Sequence, residues 1–531
     1  MPTEFAIPAR TRLAELVAAL SLGIDLGFGQ PMEHVLRQTL IALSIAERLG
    51  LDDEQRSDVY YTALLINVGC HTDAHEQAKW FGDDLALRGT KYDHGLHSVS
   101  GAVATMRMLG RGNPPLHRFR VGLEYALAGH RDLDGMIAGH ARVSRQLASQ
   151  LSLPVAVQDA VGAAYEQWDG RGWPGELRAG AVPIAARVAQ FAEYIEVAHR
   201  LGGPAAAVKL ADSRRGSQFD PALSDLLSRE CDSILGGLGW THTWDAVISS
   251  EPSLTRRLSG ADLDHALLAV ADFVDLKSPY LLGHARAVSD LVDAAAATAG
   301  LGPADRGELR RAALVHGFGR LGVSNAIWDK GAPLGAGEWE RVRLHPYLTE
   351  RMLQQSPGLA PLGGIAVQVR ERLDGSGYPR QLTGAAISRP ARLLAVADAY
   401  QAMCEPRPHR AALPPETVAR ELVAEVRAGR LDGDAVDAVL AAAGHRVSRR
   451  RDGPAGLTRR EVEVLQLVAR GRSTKEIASQ LVIAPKTVRN HIEHIYTKIG
   501  ATSRVTAGLY AVQHGLLPEN DAGGEDGAPA P

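Results

Sequence analysis

Apolar residues recur along most of this chain at helical spacing, with Ala and Leu abundant, few Val/Ile/Thr alternations, and breaks marked by Gly and Pro. The pattern predicts a mainly α fold. It is sharpest near the C-terminus, where Val488, Ile492, Ile495 and Ile499 fall at i, i+4, i+7 and i+11 and make one buried stripe. Pro485 suits the first turn of that helix, because its missing N–H has no intrahelical partner there. Two shorter helices are expected before it. Thr458 with Glu461, and Ser473 with Glu476, have the spacing of capping boxes. Val462, Leu465 and Val468 face inward on the first, Ile477, Ala478 and Leu481 on the second, and a turn at 482–484 follows.

The chain also repeats itself. Residues 166–193 aligned on 371–398, at an offset of 205, give ten identities in 28 positions, where roughly two are expected from ordinary composition. The repeat centres on Trp168-Asp169-Gly170-Arg171-Gly172-Trp173-Pro174 and Leu373-Asp374-Gly375-Ser376-Gly377-Tyr378-Pro379, each followed by a helix carrying Arg187 or Arg392. The same offset pairs His140 with His345. Duplication places one unit at about 1–255 and a second at 256–447, followed by a linker at 448–455, a small domain at 456–517 and a disordered tail at 518–531.

Charge separates these parts. The chain carries a net −3, yet residues 446–504 hold 13 Lys/Arg against 5 Asp/Glu. A surplus of eight positive charges there leaves −11 for the remainder, and that asymmetry favours a polyanion partner for the C-terminal domain alone. Cys70, Cys231 and Cys404 are odd in number and show no metal-ribbon or disulfide spacing, which fits a reducing compartment. The apolar N-terminal stretch is broken by Glu15 and Asp25, and no run reaches membrane-spanning length. The expectation is a cytoplasmic protein with no membrane partner.

On the helix after Pro485, the face opposite the apolar stripe carries Lys486, Arg489, Asn490, Glu493 and Thr497, with Thr487 beside them. Such side chains read base edges and phosphates in a major groove wide enough for one helix. A solvated polar face looks the same in isolation. The phrases Leu457-Thr458-x-x-Glu461-x-Glu463-Val464-Leu465, Lys475-Glu476-Ile477-Ala478, Lys486-Thr487-Val488-x-x-His491-Ile492 and Lys498-Ile499-Gly500 resemble the LuxR-type helix-turn-helix family. The resemblance implies a four-helix module that binds double-stranded DNA. Its third helix enters the major groove, and its last, here about 503–514, pairs modules into a homodimer on DNA. It places Arg489 and Asn490 at bases, makes Lys475, Lys486, Lys498 and Arg504 phosphate candidates, and leaves base preference at Glu493 open.

The phrase Glu371-Arg372-Leu373-Asp374-Gly375-Ser376-Gly377-Tyr378-Pro379, with Ala397-Asp398-Ala399 downstream, resembles the HD-GYP subgroup of HD-domain phosphohydrolases. These are helical metal-dependent phosphodiesterases, many acting on cyclic di-GMP. Carried over, His284, His316, His345 and Asp398 match metal-binding positions of the second unit, for a divalent metal such as Zn, Mn or Fe. Gly317 stands where the family has the Asp of its His-Asp pair, and Val369-Arg370 where it has two histidines. Without the bridging carboxylate two metals cannot share a hydroxide. Two imidazoles and a carboxylate still match a mononuclear site with an open position, although Arg370 brings positive charge towards it. The intact Gly377-Tyr378-Pro379 is equally explained by the sterics of its own turn.

The first unit keeps His34 and His140, but has Ile66-Asn67, Ala164-Tyr165 and Glu193 at the other positions, while His71, Asp73 and His75 form a separate polar cluster. The expectation is a bacterial-type transcriptional regulator whose HD-GYP-like body senses a small-molecule or nucleotide effector or mediates oligomerisation. The alternative is a metal-dependent phosphodiesterase fused to a DNA-binding domain.

Overall fold

The computed structural model describes residues 11–92, 106–110, 114–125, 130–238, 242–253, 255–445, 454–481 and 483–517. Positions 448–453 of the expected linker, residue 482 of the expected turn and the tail at 518–531 lie outside them. The described residues are mainly helical, as the periodicity implies. Their one small sheet pairs Thr11–Arg12 antiparallel with Arg257–Leu258, Thr11 opposite Leu258. The described residues fall into two compact units, one within Met1–His445 and the other within Arg446–Pro531.

The N-terminal apolar stretch forms the helix Leu13–Gly27. A helix apolar on every side must be surrounded by protein, and Leu13, Leu16, Val17 and Leu20 are fully buried. Its core joins both halves of the larger unit, taking in Leu267, Val270, Met352 and Leu362 as well as Val35 and Leu64. At Gly23 a Cβ would sit 2.5 Å from Met352 Cε, so glycine permits this contact across the halves. No described helix is long and apolar enough to cross a membrane.

The two halves repeat the same devices. His34–Arg48 and Asp53–Leu65 correspond to His284–Thr298 and Pro303–Val315. Asp25 accepts the Val35 N–H at 3.0 Å, and Asp275 accepts that of Ala285 at 2.8 Å, satisfying a donor in each helix's first turn. The later helices Ile184–Ser213 and Arg389–Cys404 also correspond, with Arg187 bonded to Asp220 at 2.5 Å and Arg392 to Asp432 at 2.8 Å.

The Gly-rich loops between them match as well. The Glu166 carboxylate accepts three backbone N–H groups, from Gly175, Glu176 and Leu177, and that of Glu371 accepts those of Arg380 and Leu382. A Cβ at Gly172 would lie 2.4 Å from Gln167 N, and one at Gly377 2.3 Å from Arg372 N. Both glycines are therefore demanded by backbone packing.

The described residues of the C-terminal unit form four α-helices, Arg459–Ala469, Thr474–Gln480, Pro485–Ile499 and Arg504–Gln513. Both expected capping boxes form, and Gly500 ends the third helix at φ 64°. Leu465, Val468, Ile477, Val488, Ile495, Ala507 and Ala511 make its core.

Candidate functional site

In the second half, three elements converge. His284 opens the helix His284–Thr298, His316 caps Pro303–Val315, and Asp398 lies midway along Arg389–Cys404. All three are fully buried. One ligand atom from each lies within 4.8 Å of the other two. Asp398 Oδ1 is 3.2 Å from His284 Nε2 and 3.4 Å from His316 Nε2, while His284 Nδ1 faces Glu405 Oε2 at 2.8 Å. His345 stands outside this trio. Its Nδ1 lies 2.7 Å from the Val342 carbonyl, and its ring meets Trp328 edge-on at 5.3 Å.

Two guanidinium groups share the site. Arg370 Nη1 lies 2.9 Å from Asp398 Oδ2, and Nη2 donates to Oδ1 at 3.4 Å. Arg320, only 1% exposed, donates from Nη2 to His316 Nε2 at 3.2 Å and reaches Asp398 Oδ1 at 3.7 Å. Burial alone would raise the Asp398 carboxyl. Arg370, followed by the contact from His284, outweighs it and holds the group well below the usual carboxylate range. Burial pushes His316 down to about 4, and Arg320 adds to the effect. The ring is thus neutral at pH 7, with Nδ1 donating to the Ala313 carbonyl at 2.5 Å. Its Nε2 lone pair, the one a metal would use, is taken by Arg320.

In this arrangement guanidinium groups engage the His316 and Asp398 atoms that a divalent ion would use. Arg320, Arg370 and Arg407, the last 2.8 Å from Glu405, already balance the carboxylates Asp398, Glu405 and Asp275, the last of which interacts with Arg320. Each unit-charge repulsion at 4 Å costs about 4 kcal/mol at an effective dielectric near 20. The family's bridging carboxylate is missing for a spatial reason too. A Cβ at Gly317 would lie 3.2 Å from Arg320 Nη1, so the glycine makes room for the guanidinium. The Gly-Tyr-Pro turn holds the other cation, because Tyr378 N–H donates to the Arg370 carbonyl at 3.1 Å.

The first half reaches the same result with other residues. Glu193, at the position of Asp398, accepts from Lys91 Nζ at 2.7 Å, Asn67 Nδ2 at 2.7 Å and Tyr92 OH at 2.8 Å. Burial would raise its carboxyl, and Lys91 leads the contacts that lower it. Asn67 and His140 are 73 residues apart where their counterparts Gly317 and His345 are 28 apart, and this longer connection supplies Lys91. The remaining polar residues are dispersed. His34 pairs with Glu196, and His140 with Asp73. The expected cluster of His71, Asp73 and His75 is divided: His71 bonds the Val68 and Phe273 carbonyls at 2.8 and 2.7 Å, and His75 pairs with Asp329 at 2.8 Å.

In the C-terminal unit Lys486, Thr487, Arg489, Asn490 and Glu493 share the exposed side of Pro485–Ile499, and Lys475 is exposed on the preceding helix. Lys475, Lys486, Arg489 and Asn490 have no side-chain partner among the described residues. Lys498 and Arg504, the other two phosphate candidates, have partners within the module. Lys498 Nζ bonds Glu461 at 2.7 Å and the Gly456 carbonyl at 2.9 Å. Arg504 donates to the carbonyls of Val468, at 3.1 Å, and Arg472. Both fasten the module together. On Arg504–Gln513, Val505, Leu509 and Val512 are 80, 56 and 60% exposed, an apolar face at i, i+4 and i+7.

Sequence reasoning identified His284, His316 and Asp398 and the positive charge of Arg370. It missed Lys91, Glu405 and the role of Arg320, although Arg320 lies one helical turn beyond His316 and was open to inspection.

Comparison with known proteins agrees with both units. Residues 269–435 match the family described as HD domain, and 455–511 the family of bacterial regulatory proteins, luxR family. The chain is 31% identical over 406 residues to a 3′3′-cGAMP-specific phosphodiesterase 3 of Vibrio cholerae, covering 76% of this chain and 88% of that protein. A crystal structure of a cyclic GMP-AMP specific phosphodiesterase of V. cholerae aligns with a TM-score of 0.57 at 27% identity, over 82% of this chain and 98% of that one. The response regulator VraR of Staphylococcus aureus is 40% identical over 79 residues, 15% of this chain and 38% of that protein. The chain therefore belongs to the HD-GYP family of HD-domain proteins and carries a LuxR-type helix-turn-helix domain at its C-terminal end.

Proposed function

We infer that the protein is a sequence-specific DNA-binding transcriptional regulator, and that its HD-GYP body serves as a sensory and oligomerising module rather than a hydrolase. The observation that carries this reading is the pairing of Arg370 with Asp398. A guanidinium on the family's metal-binding carboxylate supplies charge compensation but no hydroxide, so the site retains a binding shape without a nucleophile. The luxR-family match at 455–511 supports the DNA-binding half. The free side chains on Pro485–Ile499 support Arg489 and Asn490 as base readers, with Lys475 and Lys486 on phosphates. The exposed apolar face of Arg504–Gln513 supports a homodimer on DNA.

A second reading is favoured by one observation. His284, His316 and Asp398 form a donor set of the kind a metal needs, in a chain 31% identical to a 3′3′-cGAMP-specific phosphodiesterase. HD domains are metal-dependent phosphohydrolases, and displacement of both Arg320 and Arg370 would reopen such a site. Metal analysis and phosphodiesterase assays of the full chain, run beside DNA-binding titrations, separate the two. Specific DNA binding without turnover supports the regulator. Stoichiometric metal with turnover lost in His316→Ala supports the enzyme.

A further inference from the structure

The first half carries a thiol where the second carries a guanidinium. Cys70 follows Asn67 by three residues, as Arg320 follows Gly317. Both turns press on the helix of the later histidine. A Cβ at Gly69 would lie 2.6 Å from the His140 carbonyl oxygen, and one at Gly319 2.0 Å from that of His345. This close approach brings the Cys70 and His140 side chains into direct interaction. Asp73, at the end of the same turn Val68–Asp73, pairs with His140 Nε2. Cys70, His140 and Asp73 thus form a thiol, imidazole and carboxylate in series.

Two further groups complete the cluster. The Tyr165 hydroxyl hydrogen-bonds Cys70 Sγ, and Lys91 Nζ lies 5.3 Å from the centre of the Tyr165 ring. Burial disfavours an ionised Cys70, yet His140 first and Lys91 after it lower the thiol overall. Burial also opposes charge on His140, and Cys70 and Asp73 together raise it to about 9. The pair is therefore thiolate and imidazolium, and the thiolate is the reactive form of cysteine. His140 Nδ1 is buried with no hydrogen-bond partner among the described residues, in a side chain only 5% exposed. It is a donor left for an incoming oxygen. Cys70 is 6% exposed, which suits a small oxidant better than a bulky electrophile.

We propose that Cys70 is an oxidation site for hydroperoxides, with His140 as proton donor to the leaving oxygen and Asp73 as the residue that orients the imidazole. The sulfur attacks the terminal peroxide oxygen, so that an S–O bond forms as the O–O bond breaks. Sulfur gives two electrons to the peroxide. The departing oxygen takes the His140 proton and leaves as water or an alcohol, and Cys70 becomes a sulfenic acid. This chemistry uses no metal, and it holds whether or not the second half is hydrolytic.

The test exposes reduced full-length protein to hydrogen peroxide for timed intervals, followed by catalase, unfolding and alkylation with iodoacetamide. Peptide mass spectrometry then reads the label remaining on each cysteine. Cys70 is buried whereas Cys231 and Cys404 are partly exposed, so accessibility alone would oxidise Cys70 last. The expected result is the reverse, with Cys70 losing label roughly tenfold faster than the other two and gaining one oxygen. His140→Asn and Asp73→Asn should each slow Cys70 and leave the rates at Cys231 and Cys404 unchanged. The Asp73 side chain is 16% exposed, and its variant carries the test if His140→Asn fails to fold. In Asp73→Asn the ultraviolet thiolate absorbance that Cys70→Ser removes should also move to higher pH. Oxidation of Cys70 no faster than that of Cys231 and Cys404, or a rate untouched by these substitutions, would overturn the proposal.

Discussion

Arg370 Nη1 lies 2.9 Å from Asp398 Oδ2, in a pocket where the carboxylate is fully buried. Removing one partner of such a pair strands the other, so Arg370→Ala should destabilise the larger unit by about 3 kcal/mol. The pH dependence follows from the depressed Asp398 value. A carboxylate held below its unfolded value of 3.8 contributes stability that is present above that value and is lost as pH falls through the folded one. Arg370→Ala should shrink that contribution and weaken the acid dependence, which urea unfolding between pH 2 and 7 would measure.

Asp25 behaves in the opposite sense. Burial raises its carboxyl to about 7, against His34, which lowers it. Its contribution is full below the unfolded value of 3.8 and is lost as pH rises through about 7, a change of up to about 4 kcal/mol. Asp25→Asn keeps the acceptor for the Val35 N–H and carries no charge. Its melting temperature relative to the parent should rise steadily between pH 4 and pH 8.

For DNA, Arg489→Ala should cost about 1 to 3 kcal/mol at the preferred site and much less on random duplex. Lys486→Ala should weaken both duplexes similarly and reduce the salt dependence. Lys498→Ala should act differently, lowering the melting temperature of the module, because its ammonium is committed to Glu461 and the Gly456 carbonyl. Fluorescence anisotropy on both duplexes, with thermal melts, distinguishes these effects.

Leu509→Asp places a charge in the exposed apolar face of Arg504–Gln513. Binding to a single half-site should persist, whereas cooperative binding to paired half-sites should be lost. Gel-shift titrations on one-site and two-site duplexes provide the comparison.

What the sequence disclosed was local or repetitive. Thr458 with Glu461 and Ser473 with Glu476 lie three residues apart, so their caps were legible from spacing. The Gly172 and Gly377 turns announced themselves by duplication. The trio His284, His316 and Asp398 came from family resemblance, and the structure brings it together. The cations that occupy the two sites were harder to see. Lys91 meets Glu193 across 102 residues, with no periodic signal linking them. Arg320 was close to His316 in sequence, but its inward direction depends on the space at Gly317. The cluster of His71, Asp73 and His75 illustrates the converse, since neighbours in sequence point to three separate partners.

Turnover shows directly whether the site of His284, His316 and Asp398 is hydrolytic. Purified full-length protein, supplied in turn with Mn²⁺, Fe²⁺ and Zn²⁺, would be incubated with 3′3′-cGAMP and cyclic di-GMP and the products separated by chromatography. Intact nucleotide is expected in every case, from protein that retains specific DNA binding. Metal-dependent hydrolysis that disappears in His316→Ala would contradict it.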